Sequence, residues 1–229
     1  MLFRAAGERF HTQLNWLDSW HSFNFGNHFD PRHQGFGPLL VINDDRVQPG
    51  CGFGMHGHSD MEIITVMLAG ELTHRDSMGH SALLKAGEVQ WMGAGSGIMH
   101  SEWNEAQIPC HLLQIWIKPP IAGLAPSYAQ RSFELGDHWT LLVAADGQAG
   151  ALPIRGPARL WSTQLGPGKG LELPTLVGGQ CWLQLAAGSI ELEGELALQA
   201  GDGLGFAAGE IKRISAGRAG GYALLFEMD

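Results

Sequence analysis

The amino-acid sequence predicts an all-β protein composed of two tandem β-barrels. Glycine accounts for 33 of the 229 residues and is spread evenly along the chain rather than concentrated in low-complexity runs. Short segments rich in β-branched and aromatic residues lie between the glycines, and helical periodicity is nearly absent. Many short strands joined by tight turns explain both observations.

The clearest predicted strands are four apolar segments, of which the first three precede a pair of prolines. In chain order they span residues 39–43, 62–68, 110–117 and 139–144. Pro119 and Pro120 end the first strand-rich block, because proline cannot donate to a strand ladder and restricts the residue before it. The sequence therefore predicts an N-terminal barrel at residues 1–120 and a C-terminal barrel at residues 121–229.

A pattern of glycine, strand and acidic turn occurs twice and supports the tandem arrangement. In the first half, Gly70-Glu-Leu is followed by the hairpin sequence Ala-Gly87-Glu. In the second half, Gly188-Ser-Ile is followed by Ala-Gly201-Asp. Repetition of one supersecondary pattern in this order predicts two barrels of similar topology.

The charge of the chain argues against several classes of partner. Lysine and arginine total 14 against 23 aspartate and glutamate residues, which gives a formal net charge of −9 without a basic cluster. Direct binding to nucleic acid or to an acidic membrane surface is therefore not expected. No apolar stretch approaches the roughly 18 to 20 residues that a membrane-spanning helix needs, and we expect a soluble monomer.

The N-terminus and the cysteines together predict a cytoplasmic protein. The first residues lack both an apolar signal region and an Arg/Ser-rich transit pattern. Cys51, Cys110 and Cys181 are too few and too scattered for a disulfide framework, and no Cys-x-x-Cys pair occurs. Such a chain suits a reducing compartment.

Two short pairs of metal-ligand residue types lie in the first half, His56 with His58 and His100 with Glu102. Alternate residues of a strand point to the same face, so each pair can direct both side chains into one barrel interior. Two such pairs on neighbouring strands would surround one point with three imidazoles and a carboxylate. That donor set predicts a metal site with room for a substrate.

The two halves differ sharply in these residue types. All histidines except His138 lie at or before position 111. In the second half, Gln184 and Leu185 stand where we expect one ligand pair, and residues 211–213 stand near the expected place of the other. The metal site is therefore predicted for the first barrel only.

The two ligand pairs lie within longer motifs that resemble those of the cupins. Residues 50–62 contain a glycine, five residues, His56-x-His58 and then Glu62, as in the first cupin motif. Residues 87–104 end in Gly97-x-x-His100-x-x-x-Asn104, as in the second motif, although a longer Gly-Ala-Gly-Ser-Gly turn replaces the usual proline–glycine turn. The resemblance implies two cupin-type jelly-roll barrels, a bicupin.

Three flanking features narrow the resemblance to the pirin family over the first 120 residues. They are residues 18–31, residues 70–77 and the His100-Ser-Glu102 pair. In pirins a competent N-terminal cupin precedes a C-terminal cupin that has lost its ligands. Bacterial members act as quercetin 2,3-dioxygenases, which open the central ring of a flavonol with O2 and release CO. Carried over to this chain, the family's metal ligands are His56, His58, His100 and Glu102.

Imidazole and carboxylate ligands suit one divalent transition metal ion better than thiolates would, with iron favoured and manganese, nickel, cobalt, copper or zinc as alternatives. Four protein ligands leave two positions on an octahedral ion for a small aromatic substrate and for water or O2. A flavonol must also lose its 3-hydroxyl proton before it reacts, and Glu102 is the nearest candidate base. Glu102 is therefore predicted to act as ligand, as catalytic base, or as both.

Other residues near the motifs have two interpretations each. Glu62 occupies the position of the usual cupin carboxylate and competes with Glu102 as a ligand. His21, Phe53 and Glu62 are candidates for a second layer around the ligands or for the lining of a substrate site, and His74 is a candidate for the second layer. The alternatives are ordinary hydrogen-bonded polar residues and, for Phe53, core packing.

Two other functions remain open from the sequence. One is a non-catalytic metal or redox sensor that binds a protein partner, a role associated with eukaryotic pirins. The other is an isomerase or hydrolase for another small molecule, because one fold hosts many chemistries.

Overall fold

The computed structural model describes residues 1–145, 147–177, 179–193 and 196–228, and nearly all regular structure in them is β-strand. The predicted all-β class is confirmed. Two 3-10 turns interrupt the strands, at Ala6–Glu8 and Gln148–Gly150. No helix among the described residues is long and apolar enough to cross a membrane.

Twenty strands follow one another along the described chain. The first twelve are β1 Leu2–Arg4, β2 Phe10–Gln13, β3 Leu17–His21, β4 Leu39–Val47, β5 Cys51–His58, β6 Glu62–Ala69, β7 Glu71–Asp76, β8 Ser81–Lys85, β9 Glu88–Gly93, β10 Ile98–Asn104, β11 Cys110–Ile117 and β12 Ser127–Ser132. The others are β13 Thr140–Ala145, β14 Leu152–Ile154, β15 Arg159–Leu165, β16 Gly170–Glu172, β17 Gln180–Leu192, β18 Leu196–Gln199, β19 Gly203–Ala207 and β20 Arg213–Met228.

The chain forms two compact units. The N-terminal unit consists of residues 10–133 and 152–156, and the C-terminal unit consists of residues 1–9, 134–151 and 157–229. The first residues belong to the C-terminal unit because β1 pairs with β19, with Phe3 opposite Leu204. The domain limits 1–120 and 121–229 are a prediction from the sequence, and they are distinct from these compact units.

The N-terminal unit contains two antiparallel sheets. The smaller sheet has the order β5-β10-β7-β8, and the larger has the order β12-β9-β6-β11-β4-β3-β2. Ile63, Thr65 and Met67 share one face of β6 and are almost fully buried, as are their neighbours on the other face. Burial on both faces explains why β6 is a continuous apolar run without alternation.

The C-terminal unit has the strand order β1-β19-β17-β20-β15-β13, with β18 paired to β17 and β16 paired to β20. Its interior is apolar, and Leu183, Leu185, Phe206 and Leu225 are among its buried residues. Each such side chain contributes about 1.5–3 kcal/mol when fully removed from water. This unit is therefore held by hydrophobic packing.

The repeat predicted from the sequence is confirmed by the backbone hydrogen bonds of both units. Ala86 N–H donates to the Gly70 carbonyl over 2.9 Å, and Ala200 N–H donates to the Gly188 carbonyl over 3.1 Å. Gly70 and Gly188 both have a φ of 73°, a left-handed conformation that disfavours other residues. A Cβ at Gly70 would also lie 2.9 Å from the Cα of Cys110. Glycine is required at this turn by both conformation and space.

The acidic residue of the repeated turn has the same function in each unit. Glu88 Oε2 accepts from the Lys85 N–H over 2.7 Å, and Asp202 Oδ2 accepts from the Gln199 N–H over 2.8 Å. The carboxylate closes the hairpin by satisfying a backbone donor. The Gly-(Glu/Asp) pattern therefore indicates a turn geometry that the two units share.

The repeat also corrects the position at which we expected the lost ligands of the C-terminal unit. Gly201 N–H donates to the Leu185 carbonyl as Gly87 N–H donates to the Met67 carbonyl, so Leu185 corresponds to a residue of β6. We expected Gln184 and Leu185 to replace one of the ligand pairs on β5 and β10, and this expectation was wrong because they correspond to residues of β6. The counterpart of the β5–β10 pair is β16–β20, in which Leu171 lies opposite the buried Ile214.

A buried carboxyl group on β4 gives the N-terminal unit a pH-dependent stability. Burial, reinforced by the charges of Asp44 and Glu102 and opposed by a hydrogen bond from Ser19 Oγ, raises the pKa of Asp45 to about 7. Because this value exceeds the ordinary pKa of 3.8, the stabilising contribution of Asp45 is complete below 3.8. It is lost as the pH rises through about 7.

We expect Asp45→Asn to remove this dependence. The free energy of unfolding of the unsubstituted protein should fall relative to that of the variant as the pH rises from 3.8 to about 7. Urea unfolding of both proteins across this range measures the difference. Parallel stability curves would show that Asp45 does not keep its proton in the folded state.

Candidate metal centre

The structure brings three of the predicted ligands together. His56 and His58 lie on β5 and His100 lies on the neighbouring β10, with His56 directly opposite His100. The candidate ligand atoms of the three side chains all lie within 4.8 Å of one another. Their ring centroids are 4.4–4.9 Å apart. Residues two apart on a strand face the same side, and so do opposite residues of neighbouring antiparallel strands. The three histidines therefore form one cluster.

The backbone orients one of these rings. His56 Nδ1 lies 2.7 Å from the Gly54 carbonyl oxygen, which can only accept a hydrogen bond. Nδ1 therefore carries the proton and Nε2 keeps its lone pair. A backbone carbonyl on one ring nitrogen is a common way to fix the tautomer of a metal-binding histidine.

The electrostatics of the cluster favour neutral imidazoles. Burial, reinforced by the neighbouring histidines, lowers the pKa of His100 to about 3 and that of His58 to about 4. Neutral rings have lone pairs available for a metal ion at neutral pH. These two side chains are thus in the protonation state that metal binding requires.

His100 also has an unsatisfied ring that a metal ion fits. The side chain is 0% exposed, and neither ring nitrogen has a hydrogen-bond partner among the described residues. A buried polar group without a partner costs about 1–3 kcal/mol. A bound cation would supply the partner that the protein does not, so the donor set fits a divalent ion.

Glu102 lies two residues beyond His100 on the same face of β10 and is almost fully buried. Its Oε2 accepts from Gln114 Nε2 over 2.7 Å, and its Oε1 has longer contacts with Thr65 Oγ1 at 3.3 Å and Gln90 Nε2 at 3.5 Å. Burial raises the pKa of Glu102, against the opposing effects of His56 and of these hydrogen bonds. The carboxyl is held by three donors beside the imidazoles.

Glu102 belongs to a second group of ligand-type side chains that sequence reasoning did not assemble. Its carboxylate, His100 and His74 offer atoms within 4.8 Å of one another, and all three residues are buried. His74 lies directly opposite Glu102 across β7 and β10. The signal in the sequence was the His74-x-Asp76 alternation, which has the same parity as the two recognised pairs.

Phe53 faces the same side of the sheet as the ligands because of a β-bulge. His100 lies opposite His56 and Glu102 lies opposite Phe53, so β5 has one residue more than β10 between the two pairs. The ring of Phe53 contacts Trp16 edge-on at 5.3 Å and packs against the buried cluster that includes Leu17. Its contacts are those of core packing.

His21 is separated from the candidate ligands by two aromatic rings. It lies 2.7 Å from Asn43 Oδ1 and 2.9 Å from Thr12 Oγ1, and it stacks on Phe25. Phe25 contacts Trp116 at 5.5 Å, and Trp116 contacts His58 at 4.9 Å. Along these contacts, His21 packs two rings away from His58.

The side chain of Glu62 lies away from the cluster and has partners of its own. Its Oε2 accepts from Trp91 Nε1 over 2.7 Å and from the Arg155 N–H over 3.1 Å. Glu62 and Thr65 are three residues apart on β6 and so face opposite sides, and Thr65 is the one that contacts Glu102.

A cavity of about 360 Å³ opens beside the cluster. His58 forms part of its wall, together with Ser59, Ser77, Ile98 and Met99. The indole N–H of Trp116, next to His58, is buried and has no hydrogen-bond partner among the described residues. A small molecule in this cavity would reach the edge of the histidine cluster.

The protein consists of two jelly-roll barrels, which defines it as a bicupin. Both groups of ligand-type side chains found among the described residues lie in the N-terminal unit. The family model described as Pirin matches residues 3–117, and the one described as Quercetinase C-terminal cupin domain matches residues 141–228. The chain belongs to the pirin family, which confirms the resemblance found in the sequence.

Individual relatives agree with this assignment. The chain is 41% identical over 192 residues to a protein named quercetin 2,3-dioxygenase from Escherichia coli K12, covering 83% of each. It is 39% identical over 205 residues to a pirin-like protein from Caulobacter vibrioides, covering 88% of each. The crystal structure of bacterial pirin YhhW from Escherichia coli in complex with nickel(II) matches with a TM-score of 0.93 and 37% identity, over 99% of this chain and 98% of that one.

Proposed function

We propose that this protein is a metal-dependent dioxygenase that opens the central ring of flavonols such as quercetin with O2 and releases CO. The observation that carries the proposal is the cluster of His56, His58 and His100, whose buried His100 has two unpaired ring nitrogens among the described residues. The relative named quercetin 2,3-dioxygenase supports the choice of reaction. The proposal has the protein act as a cytoplasmic monomer on a small aromatic molecule, without nucleic acid or membrane partners.

In this proposal His56, His58, His100 and Glu102 hold one divalent transition metal ion. Iron is the metal that we propose, with manganese, nickel, cobalt, copper and zinc as alternatives for the same donors. The related YhhW protein was crystallised in complex with nickel(II), which supports a divalent ion in this family. When bound, the ion supplies Lewis-acid stabilisation for an oxygen anion of the substrate.

The chain's own residues prepare the substrate for reaction. Glu102 accepts the 3-hydroxyl proton of the flavonol at Oε1, the oxygen with the longer contacts of 3.3 and 3.5 Å. Gln114 keeps the other oxygen fixed through its bond of 2.7 Å. Burial raises the pKa of Glu102 and makes its carboxylate a stronger base than an exposed glutamate.

The surroundings of the cluster orient a flat substrate and exclude water. The cavity beside His58 gives the substrate access to the imidazole of that residue. The indole N–H of Trp116, unpaired among the described residues, is a donor for a substrate oxygen. Thr65, Gln90 and Gln114 are buried and occupy the space behind Glu102, so bulk water does not compete for the transferred proton.

The proposal is tested with purified protein whose bound metal is determined by elemental analysis. The absorbance band of quercetin is followed with and without O2, and released CO is measured. We expect loss of the band and release of CO only when O2 is present. Absence of turnover after reconstitution with iron, manganese, nickel and cobalt would contradict the proposal and favour a metal-dependent sensor that binds a protein partner.

A further inference from the structure

His74 has hydrogen bonding that fixes which ring nitrogen carries the proton. Its Nε2 lies 3.2 Å from Asp76 Oδ2, inside the N-terminal unit. Asp76 is itself held in place, because its Oδ1 accepts from the N–H groups of Met78 and His80, and its Oδ2 also contacts His80 Nδ1 at 2.9 Å. A carboxylate only accepts hydrogen bonds, so His74 Nε2 donates and Nδ1 keeps its lone pair.

The lone pair of His74 Nδ1 accepts no hydrogen bond from the described part of the protein. His74 is 1% exposed, and its Nδ1 has no hydrogen-bond partner among the described residues. Nearly all buried polar atoms in folded proteins have a partner, and one left without one calls for an explanation. Stacking of the His74 ring on Tyr128, at 4.7 Å, accounts for the ring but not for the nitrogen.

We propose that His74 is a further metal-binding side chain, which uses Nδ1 to form the buried inner part of the metal centre together with His100 and Glu102. The candidate ligand atoms of these three residues lie within 4.8 Å of one another. A metal-binding histidine almost always donates its other ring N–H to a carboxylate or carbonyl, as His74 does to Asp76. The inference rests on the proposed metal centre and is independent of the proposed substrate.

The strand register places His74 as it places the ligands expected from the sequence. His74 lies opposite Glu102 across β7 and β10, as His56 lies opposite His100 across β5 and β10. His100 belongs to both groups of side chains and links them. The two groups together comprise five side chains on three adjacent strands of the smaller sheet, with His100 common to both.

His74→Phe and His80→Phe form a matched pair for the test. Both histidines contact Asp76 Oδ2 and both stack on Tyr128, at 4.7 and 5.0 Å. Both substitutions keep an aromatic ring on Tyr128 and remove one bond to Asp76. They differ in that only His74 belongs to the group with His100 and Glu102.

Nickel(II) is the probe, and its dissociation constant is measured by competition with a chromophoric chelator. Loss of an outer partner of a ligand weakens metal binding by roughly 10- to 100-fold, and loss of a ligand is expected to weaken it at least that much. We therefore expect His74→Phe to raise the dissociation constant at least about 100-fold and His80→Phe to leave it within a few-fold. X-ray absorption of the nickel-loaded proteins should count one imidazole fewer in His74→Phe.

Four outcomes would contradict the inference or the metal centre on which it rests. An unchanged nickel affinity in His74→Phe, or a weaker affinity with an unchanged imidazole count, would overturn the assignment of His74 as a ligand. If His74→Phe does not fold, Asp76→Asn replaces it, with an expected loss of roughly 10- to 100-fold and a changed nickel spectrum; unchanged values there would overturn the inference. A His56→Ala variant that keeps full nickel affinity would instead contradict the metal centre as a whole.

Discussion

Replacement of His56 with alanine is expected to abolish stoichiometric binding of a divalent metal ion. His56 contributes one of three ring nitrogens within 4.8 Å of one another, and the loss should exceed the roughly 10- to 100-fold that removal of an outer partner costs. The side chain is only half-buried, and its ring donates to the Gly54 carbonyl two residues away. The variant should therefore fold, so loss of metal will report on the site itself.

Elemental analysis of the purified variant and a nickel competition assay measure this effect. His138→Ala is the control, because His138 is an exposed histidine of the C-terminal unit. Quercetin turnover should disappear in His56→Ala and persist in His138→Ala. Unchanged metal content in His56→Ala would remove His56 from the metal centre.

Replacement of Glu102 with glutamine is expected to lower turnover of quercetin by roughly 10²- to 10⁴-fold, the usual contribution of a positioned general base. Glutamine has nearly the same shape and can still accept from Gln114, which donates to Glu102 over 2.7 Å. It cannot take up the substrate proton, and it is a weaker metal ligand than a carboxylate. Metal affinity is therefore expected to fall together with kcat.

The pH profile separates the two roles of Glu102. If the carboxylate acts as the base, turnover by Glu102→Gln should recover as the pH rises and the flavonol ionises in solution. If it acts as a ligand alone, metal reconstitution should restore activity without a change in the profile. Full metal occupancy with unchanged turnover would contradict both roles.

A matched control for this variant is Glu105→Gln. Glu105 lies three residues further along the chain and forms an exposed ion pair with Arg75 at 2.9 Å. Exposed pairs of this kind contribute about 0–1 kcal/mol. The control therefore changes the charge near the end of β10 without disturbing the buried carboxyl group, and it should keep normal activity.

The histidine cluster could be predicted because its signal is local. His56 and His58 on one strand, and His100 and Glu102 on the next, need only strand parity to face one side. The repeated turns at Gly70 and Gly188 are likewise readable, because a left-handed backbone conformation selects glycine in both.

Other placements could not be read from the sequence, because parity does not carry across a turn or a bulge. Glu62 begins a new strand after β5 has ended at His58, so its face could not be inferred from the histidines. Phe53 shares the face of His56 only because of the extra residue in β5. The pairing of Phe3 with Leu204 joins residues about 200 positions apart, and no local sequence pattern predicts it.

The shared turn geometry of the two units has a consequence for the exchange of metal ions. In the C-terminal unit, Leu171 and Ile214 lie at the positions that correspond to Phe53 and Glu102. The same architecture therefore accepts the apolar Ile214 at the position of Glu102, and the C-terminal unit packs around apolar side chains instead of a cation, unlike a zinc finger. A site on such a scaffold can release one ion and take up another without unfolding, so the supply of metal ions in the cell can decide its occupant.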